Sequence, residues 1–323
     1  MLEYHQFKKS TLSEEEWDRF VDQSDNGTLF HKRAFLNYHP KDRFKDASIY
    51  IVKDRKILSL LTGAVIEREG KRILASHPGA SYGGFVYKSD LNFKEAHELV
   101  DLLIDYAKNL KVDRIQLTVP PIIYQTKYSN YIDFALYRSG FTYLKRDVSS
   151  IVQLDFDDTK LLETYRAEAR TATKKAMKQG IRIAECENFD EYYEILKKNL
   201  KLRHNVNPAH SLEELKRLKK MFPVEIRLWG AFLKDKLTAG VCNFSVNPNV
   251  VLAFYISHDE SFQEYRPVNL LFYEIMKQYR KEGFRFLDFG IFTVNMEPNW
   301  GLGRFKENFG ARGIFRDTFY KDL

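Results

Sequence analysis

The chain has 323 residues, 44% hydrophobic and 29% charged, with a formal net charge of +7. That length buries one large core or two ordinary ones, and two is the expectation; the positive balance favours anionic partners such as nucleotide phosphates, RNA or acidic lipid head groups without selecting one. No apolar run reaches the roughly 18 to 20 residues of a membrane span, MLEYHQFKKS has no apolar signal core, and Cys186 and Cys242 each sit in an apolar strand-like run, so a cytoplasmic protein with two buried reduced thiols is predicted, with no integral membrane segment and no metal.

In chain order, Ser13-x-x-Glu16 makes a capping box ahead of Trp17, Phe20 and Val21 and predicts the first helix. A short amphipathic piece follows around Ala34 to Tyr38. Strand-like runs then cover 47–52, 57–66 and 72–76, joined by turns at Lys53-Asp54-Arg55 and Arg68-Glu69-Gly70, and read as an antiparallel meander. Asn92-x-x-Glu95 opens a helix in which Ala96, Leu99, Leu102, Leu103, Tyr106 and Leu110 recur at helical spacing. Val112 to Val119 reads as a buried strand ended by Pro120-Pro121.

A single helix is expected from Thr159 to its terminating glycine, Gly180. Along it Arg166, Arg170, Lys174 and Lys178 recur every four residues, so their charges form one ridge, suited either to phosphates or to plain solvation. Asn188-x-x-Glu191 and Ser211-x-x-Glu214 announce two more capped helices. Strands over 224–233, 237–245 and 250–256, a helix over 267–282 and a strand from Phe284 to Phe289 complete the pattern. Strand, meander, helix, strand thus occurs twice, which predicts a duplicated α/β fold with domains at 1–147 and 148–323, the last strand, 314–323, being free to return to the first.

Two local patterns fail on context. Gly79-Ala80-Ser81-Tyr82-Gly83 is a literal G-x-S-x-G, but a hydrolase elbow needs a helix directly after the serine, and Gly84-Phe85-Val86-Tyr87 is β-like. His204 and His210 lie too irregularly across Asn207-Pro208 to make a helix-face metal pair.

The stretch from Arg285 to Gly313 carries the most chemistry: a short buried strand, a polar loop, then a glycine-flanked turn, Gly301-Leu302-Gly303-Arg304-Phe305-Lys306, closed by Phe309-Gly310. Glycines at this density let backbone approach a ligand, and a lysine fixed among them can face developing negative charge. Asp288-Phe289-Gly290 spells the kinase DFG without the other kinase motifs. Gly301-x-Gly303 has Lys306 where a dinucleotide fingerprint needs its third glycine.

The pair formed by Asp288-Phe289-Gly290 and Phe305-Lys306-Glu307-Asn308-Phe309-Gly310 resembles the carboxy-terminal signature of the Fem-type aminoacyltransferases, the peptidoglycan interpeptide-bridge enzymes, and of related tandem GNAT-like N-acyltransferases. The resemblance implies an α/β fold of two GNAT-like domains, each a mixed, mostly antiparallel twisted sheet flanked by helices. It implies attack of an amine on an activated acyl carbonyl, with Lys306 stabilising the oxyanion and Asp288 as a proton acceptor, or equally a cap for the Asn295 loop. Arg166 to Gly180 resembles the basic helix of that family's second domain, which makes Arg166, Arg170 and Lys174 the expected contacts for a phosphate-bearing envelope precursor. Pro78 to Gly84 resembles its Pro-x-x-x-Tyr-Gly-Gly segment near the acceptor, marking Tyr82 and Gly83. The donor's arm would lie between 250–257 and 285–289, with Tyr255, Arg266 and Phe305 close by.

The donor itself stays open at this level. GNAT enzymes that use acyl-CoA carry Gln/Arg-x-x-Gly-x-Gly/Ala before a helix, whereas this chain reads Gln263-Glu264-Tyr265-Arg266-Pro267-Val268, without either glycine. That loss is typical of Fem-type relatives, whose donor is aminoacyl-tRNA. Three readings follow: aminoacyl-tRNA-dependent transfer to a cell-envelope precursor, acyl-CoA-dependent N-acylation of an amino sugar or small amine, and a non-catalytic RNA- or nucleotide-binding tandem domain. None calls for a resident cofactor or a DNA partner.

Overall fold

The computed structural model describes residues 2–40, 42–204 and 207–323, with the side chains of 202–204 left aside. The chain divides into two compact units, Met1–Asp147 with Phe315–Leu323, and Val148–Ile314. The first contains β1 (Glu3–Gln6), α1 (Glu14–Asp22), α2 (Arg33–Leu36), β2 (Lys45–Asp46), β3 (Ile49–Lys53), β4 (Lys56–Thr62), β5 (Ala64–Arg68), β6 (Lys71–Ala75), β7 (Gly84–Tyr87), α3 (Phe93–Asn109), β8 (Arg114–Thr118) and α4 (Tyr131–Arg138). Strand β9 (Thr142–Gln153) carries the chain into the second unit. There follow α5 (Leu161–Thr164), α6 (Ala167–Ala176), β10 (Arg182–Cys186), α7 (Phe189–His204), α8 (Leu212–Met221), β11 (Ile226–Leu233), β12 (Lys236–Ser245), β13 (Val250–His258), α9 (Pro267–Lys281), β14 (Phe286–Ile291), β15 (Thr293–Val294), β16 (Glu297–Pro298) and α10 (Trp300–Asn308). Strand β17 (Arg312–Asp322) returns the chain to the first unit.

Each unit is built around one parallel strand pair with a helix in the connection between its strands. In the first, β6 and β8 run parallel from Ile73↔Arg114 to Ala75↔Gln116, with α3 between them in sequence; β5 and β17 flank the pair antiparallel. In the second, β10, β11, β12 and β13 form an antiparallel run, β13 and β14 are parallel, and the second half of β9 closes antiparallel on β14. The parallel geometry needs a crossover, and an amphipathic helix is the economical way to cover the sheet while making it. The helices show the expected stripes. Leu99, Val100, Leu103 and Tyr106 of α3 and Leu271, Phe272, Ile275, Met276 and Tyr279 of α9 are fully buried in their respective cores. Each such side chain contributes roughly 1.5–3 kcal/mol on burial, which makes α3 and α9 the main cohesive elements of their units.

The capping boxes at Ser13, Asn92 and Ser211 all form, and they start α1, α3 and α8 where the sequence placed them. Four expectations are corrected here. The strand expected over 57–66 breaks at Gly63: β4 pairs with β3 and β7, whereas β5 pairs with β6 in the other sheet. The helix expected from Thr159 to Gly180 is two helices, because Tyr165 and Arg166 turn to extended backbone. Tyr165 is drawn into the core against Phe309 and Met276, and the Arg166 N–H bonds the Asn308 carbonyl, so tertiary contacts override a continuous helical pattern. The glycine-flanked turn is a helix, α10, capped by the Asn299 side chain on the Leu302 N–H, and the polar loop before it is the tight β15–β16 hairpin with Asn295 and Met296 both at positive φ. Cys242 is buried as expected, while Cys186, at the end of β10, is only partly covered.

Gly240 on β12 shows how closely the second unit is packed: an added Cβ would stand 2.5 Å from the ring of Tyr192 on α7, itself fully buried. Gly240→Ala is therefore expected to cost about 1–3 kcal/mol in urea unfolding. Gly301→Ala, whose Cβ meets nothing nearer than Asn299 Oδ1 at 3.7 Å, should instead gain up to about 1 kcal/mol as a helix substitution.

Candidate active site

The parallel pair of the second unit comes apart after three residues. Val250, Val251 and Leu252 pair with Phe286, Leu287 and Asp288; beyond them β13 continues to His258 without pairing to β14. On its other side, β14 loses register with β9 between Asp288 and Ile291. The backbone turns at Gly290, whose φ of 73° glycine adopts freely. Asp288, with no exposed surface, holds this turn: its Oδ1 accepts from Ser149 Oγ at 2.6 Å and from the Gly290 N–H at 2.7 Å.

Lys306, on the last turn of α10, closes the break from the other side. Its Nζ donates to the carbonyls of Gly290 and Ile291, each at 2.7 Å. The residue is 2% exposed, and burial pushes its pKa down to about 7, against the opposing pull of the Asp288 charge. The neighbouring motif residues hold α10 in place. Phe305 and Phe309 meet edge to face, and Phe309 packs on Phe272 and Phe289. Gly310, at φ 82°, leaves no room for a Cβ against the Thr164 carbonyl. Gly303 lets the Phe292 ring lie directly on the helix.

Beside α10 lies a cavity of about 440 Å³. Its walls are the end of β13 (Ile256, Ser257, His258), the start of α9 (Arg266 to Asn269), α7 (Asn199, Leu200) and α10 (Gly301, Leu302, Phe305), together with Gln263 and Asn299. No carboxylate is among these residues. Arg266 caps α9 in left-handed backbone, φ 58° and ψ 43°, a conformation that glycine would take without strain, and Pro267 follows at the first helical position.

The predicted residues divide accordingly. Asp288 and Lys306 meet at the break, while Arg266 and Phe305 line the cavity. Tyr255 is buried instead, its hydroxyl within 2.8 Å of His210 Nδ1; the His204 side chain lies outside the described residues. The basic ridge is interrupted: Arg166 precedes α6 and pairs with Glu307, Arg170 folds onto the Tyr165 carbonyl, and Lys174 stays exposed. In the first unit, Tyr82 is buried with its hydroxyl 3.1 Å from that of Tyr124 and its ring under Arg316, whose guanidinium also donates to the Ser81 carbonyl. Gly83 fits because an added Cβ would stand 2.7 Å from Ser76 Cβ, and β7, not a helix, follows it. Sequence reasoning missed Ser149, Asn199 and Arg316. All three lie inside regular elements and carry no local signal; Asn299, missed as well, could have been found as an Asn cap had the following stretch been read as a helix.

Residues 163–307, under half of the chain, match the acetyltransferase (GNAT) domain family, and this segment contains Asp288, Lys306 and every residue lining the cavity. Among solved structures, FemX is similar over 99% of this chain and 97% of its own, with a TM-score of 0.77 at 14% identity. L-PGS from Bacillus licheniformis matches over 95% of this chain and 90% of its own, with a TM-score of 0.59 at 10% identity. A tandem GNAT protein from the clavulanic acid biosynthesis pathway matches over 100% of this chain and 98% of its own, with a TM-score of 0.56 at 11% identity. No curated protein matches the sequence. The fold is that of tandem GNAT proteins, and the matched domain gives the enzyme class, acyltransferase.

The buried lysine has a signature in stability. Its folded pKa, about 7, lies below the ordinary 10.5, so between these values the unfolded chain binds a proton that the folded chain does not. Stability relative to Lys306→Met should therefore rise with pH across that window, by up to about 1.4 kcal/mol per unit, and fall again as pH drops toward 7. Urea titrations of both proteins from pH 6 to 10 measure it; a flat difference contradicts the burial.

Proposed function

We propose that this protein transfers an activated acyl group to an amine, using aminoacyl-tRNA as donor and a peptidoglycan or other cell-envelope precursor as acceptor. The observation that carries the reading is a buried lysine fixed at the break between two parallel strands, on the helix that walls a 440 Å³ cavity. In this reading the acyl end of the donor lies in the cavity and the amine attacks its carbonyl. Two of the three N–H groups of Lys306 are committed to Gly290 and Ile291; the third meets the oxyanion of the tetrahedral intermediate. Because its partners are backbone carbonyls, the ammonium is pre-positioned and no reorganisation is needed as charge develops. Asp288, wholly buried and holding Ser149 and Gly290, acts here by fixing the turn and by its charge. The amine's proton leaves to a substrate carboxylate or water; the tetrahedral intermediate then collapses with cleavage of the ester C–O bond, and the ribose oxygen of the tRNA departs, taking up a proton from that same group.

The donor assignment rests on the start of α9. Arg266 and Val268 stand where an acyl-CoA enzyme has its phosphate-binding glycines, and Pro267 removes one of the N–H groups that such a site uses. The acceptor class rests on the motif resemblance, which also proposes Arg166, Arg170 and Lys174 as phosphate contacts and Tyr82 and Gly83 as acceptor contacts. One observation favours acyl-CoA as a second reading: Arg266 and the α9 amino terminus line the cavity and present positive charge to it.

A donor screen, charged tRNA pool against an acyl-CoA panel with mass spectrometry of amine acceptors, separates the two. With the productive donor, Lys306→Met should lower turnover by about 10² to 10³ while the circular dichroism spectrum is unchanged. Lys306→Arg should recover little, since a planar fork does not replace a point charge. If the protonated lysine is the active form, wild-type kcat falls as pH rises through about 7. Near-wild-type turnover in Lys306→Met would remove the lysine from the mechanism.

A further inference from the structure

The strand edge that β13 exposes beyond the break is not left open along its whole length. Opposite β12, Ala239 pairs with His258, and the Asp259 N–H reaches the Thr238 carbonyl at 2.8 Å. In an antiparallel ladder that bond marks Ala239 and His258 as a non-hydrogen-bonded pair, so the N–H and C=O of His258 point away from β12, toward the edge that β14 has vacated. Both are taken by one side chain. Asn199 of α7, itself 6% exposed, donates Nδ2 to the His258 carbonyl at 2.8 Å and accepts the His258 N–H on Oδ1 at 3.3 Å. Its amide stands in for a peptide group of a neighbouring strand. By alternation, Ile256 is the preceding residue whose backbone faces the same edge, and Asn199, Ile256 and His258 all line the cavity.

We propose that Asn199 is a specificity-determining residue that shortens the strand edge open to a donor and thereby selects against arms that carry successive amides. An extended ligand binds a free sheet edge by main-chain-like hydrogen bonds, one residue's worth of edge for each amide. The pantetheine arm of CoA carries two amides in series, whereas the ester joining an amino acid to a ribose carries none. With His258 occupied, the edge past Ile256 is closed, and an amide of a pantetheine arm that reaches it meets a satisfied backbone. Selection therefore comes from withholding partners from the wrong donor as much as from contacts to the right one.

The inference rests on the cavity being the donor site, and the test keeps the two apart. CoA binding is measured by calorimetry for the wild type, Asn199→Ala and Asn199→Ser; the serine variant retains polarity but cannot span both groups of His258, and serves if the alanine variant does not fold. Uncovering the edge should strengthen CoA binding about fivefold to tenfold in a folded variant, a gain that a merely structural asparagine would not give on removal. CoA affinity within twofold of wild type in a folded variant, or no measurable CoA binding in any of the three, overturns the proposal. In parallel, Leu302→Trp fills the cavity. If it leaves turnover with the productive donor intact, the donor-site reading falls and this inference with it. If it abolishes turnover while the Asn199 variants do not gain CoA affinity, only the role of Asn199 is lost.

Discussion

The second unit is organised by a lysine ammonium that replaces a missing strand. Where β13 and β14 part, two carbonyls at the end of β14, those of the half-buried Gly290 and Ile291, have no β13 residue to pair with, and Lys306 supplies a donor to each. A buried carbonyl without a partner costs about 1–3 kcal/mol, so the lysine makes the break tolerable. A buried ammonium is itself costly, and Asp288, one turn of chain away, offsets part of that cost. The three residues have complementary parts: the carboxylate holds the Gly290 N–H, the glycine allows the positive φ of the turn, and the lysine holds the Gly290 carbonyl.

The aromatic residues around α10 make the set rigid. Phe305, Phe309, Phe272 and Phe289 form a cluster of edge-to-face, tilted and stacked rings, which fixes the helix carrying Lys306 to both α9 and β14. Such packing resists small displacements because interiors are dense. The same helix presents Gly301, Leu302 and Phe305 to the cavity, so the group proposed for catalysis and the proposed donor pocket share one rigid support.

Much of this was legible before any coordinates. Capping boxes placed the starts of α1, α3 and α8, and apolar periodicity the span of α9, because those signals are local and nothing tertiary opposes them. The split at Tyr165 was not legible, since it depends on a ring entering a core assembled from residues more than a hundred positions away. The helical character of α10 was hidden by its two glycines, whose purpose appears only once Phe292 is seen lying on Gly303. The site followed the same division. Asp288 and Lys306 were singled out by their motif and come together at the break, whereas Tyr255, expected beside the donor's arm, lies buried with its hydroxyl on His210, in a strand whose pairing bulges at Cys242/Asn243. Asn199 sits in a run of lysines on a helix and gains meaning only from the strand end beneath it.

The two passages of the chain between its units have a consequence for synthesis. The first unit needs β17 beside β8, and β17 comes from Phe315–Leu323, after the whole second unit. During translation the first 147 residues therefore emerge with the edge of β8 uncovered, and they stay so while 167 more are made. An uncovered edge invites wrong pairing. Final closure of the first unit must wait for that last strand, so this protein matures as one molecule and not as two domains in succession.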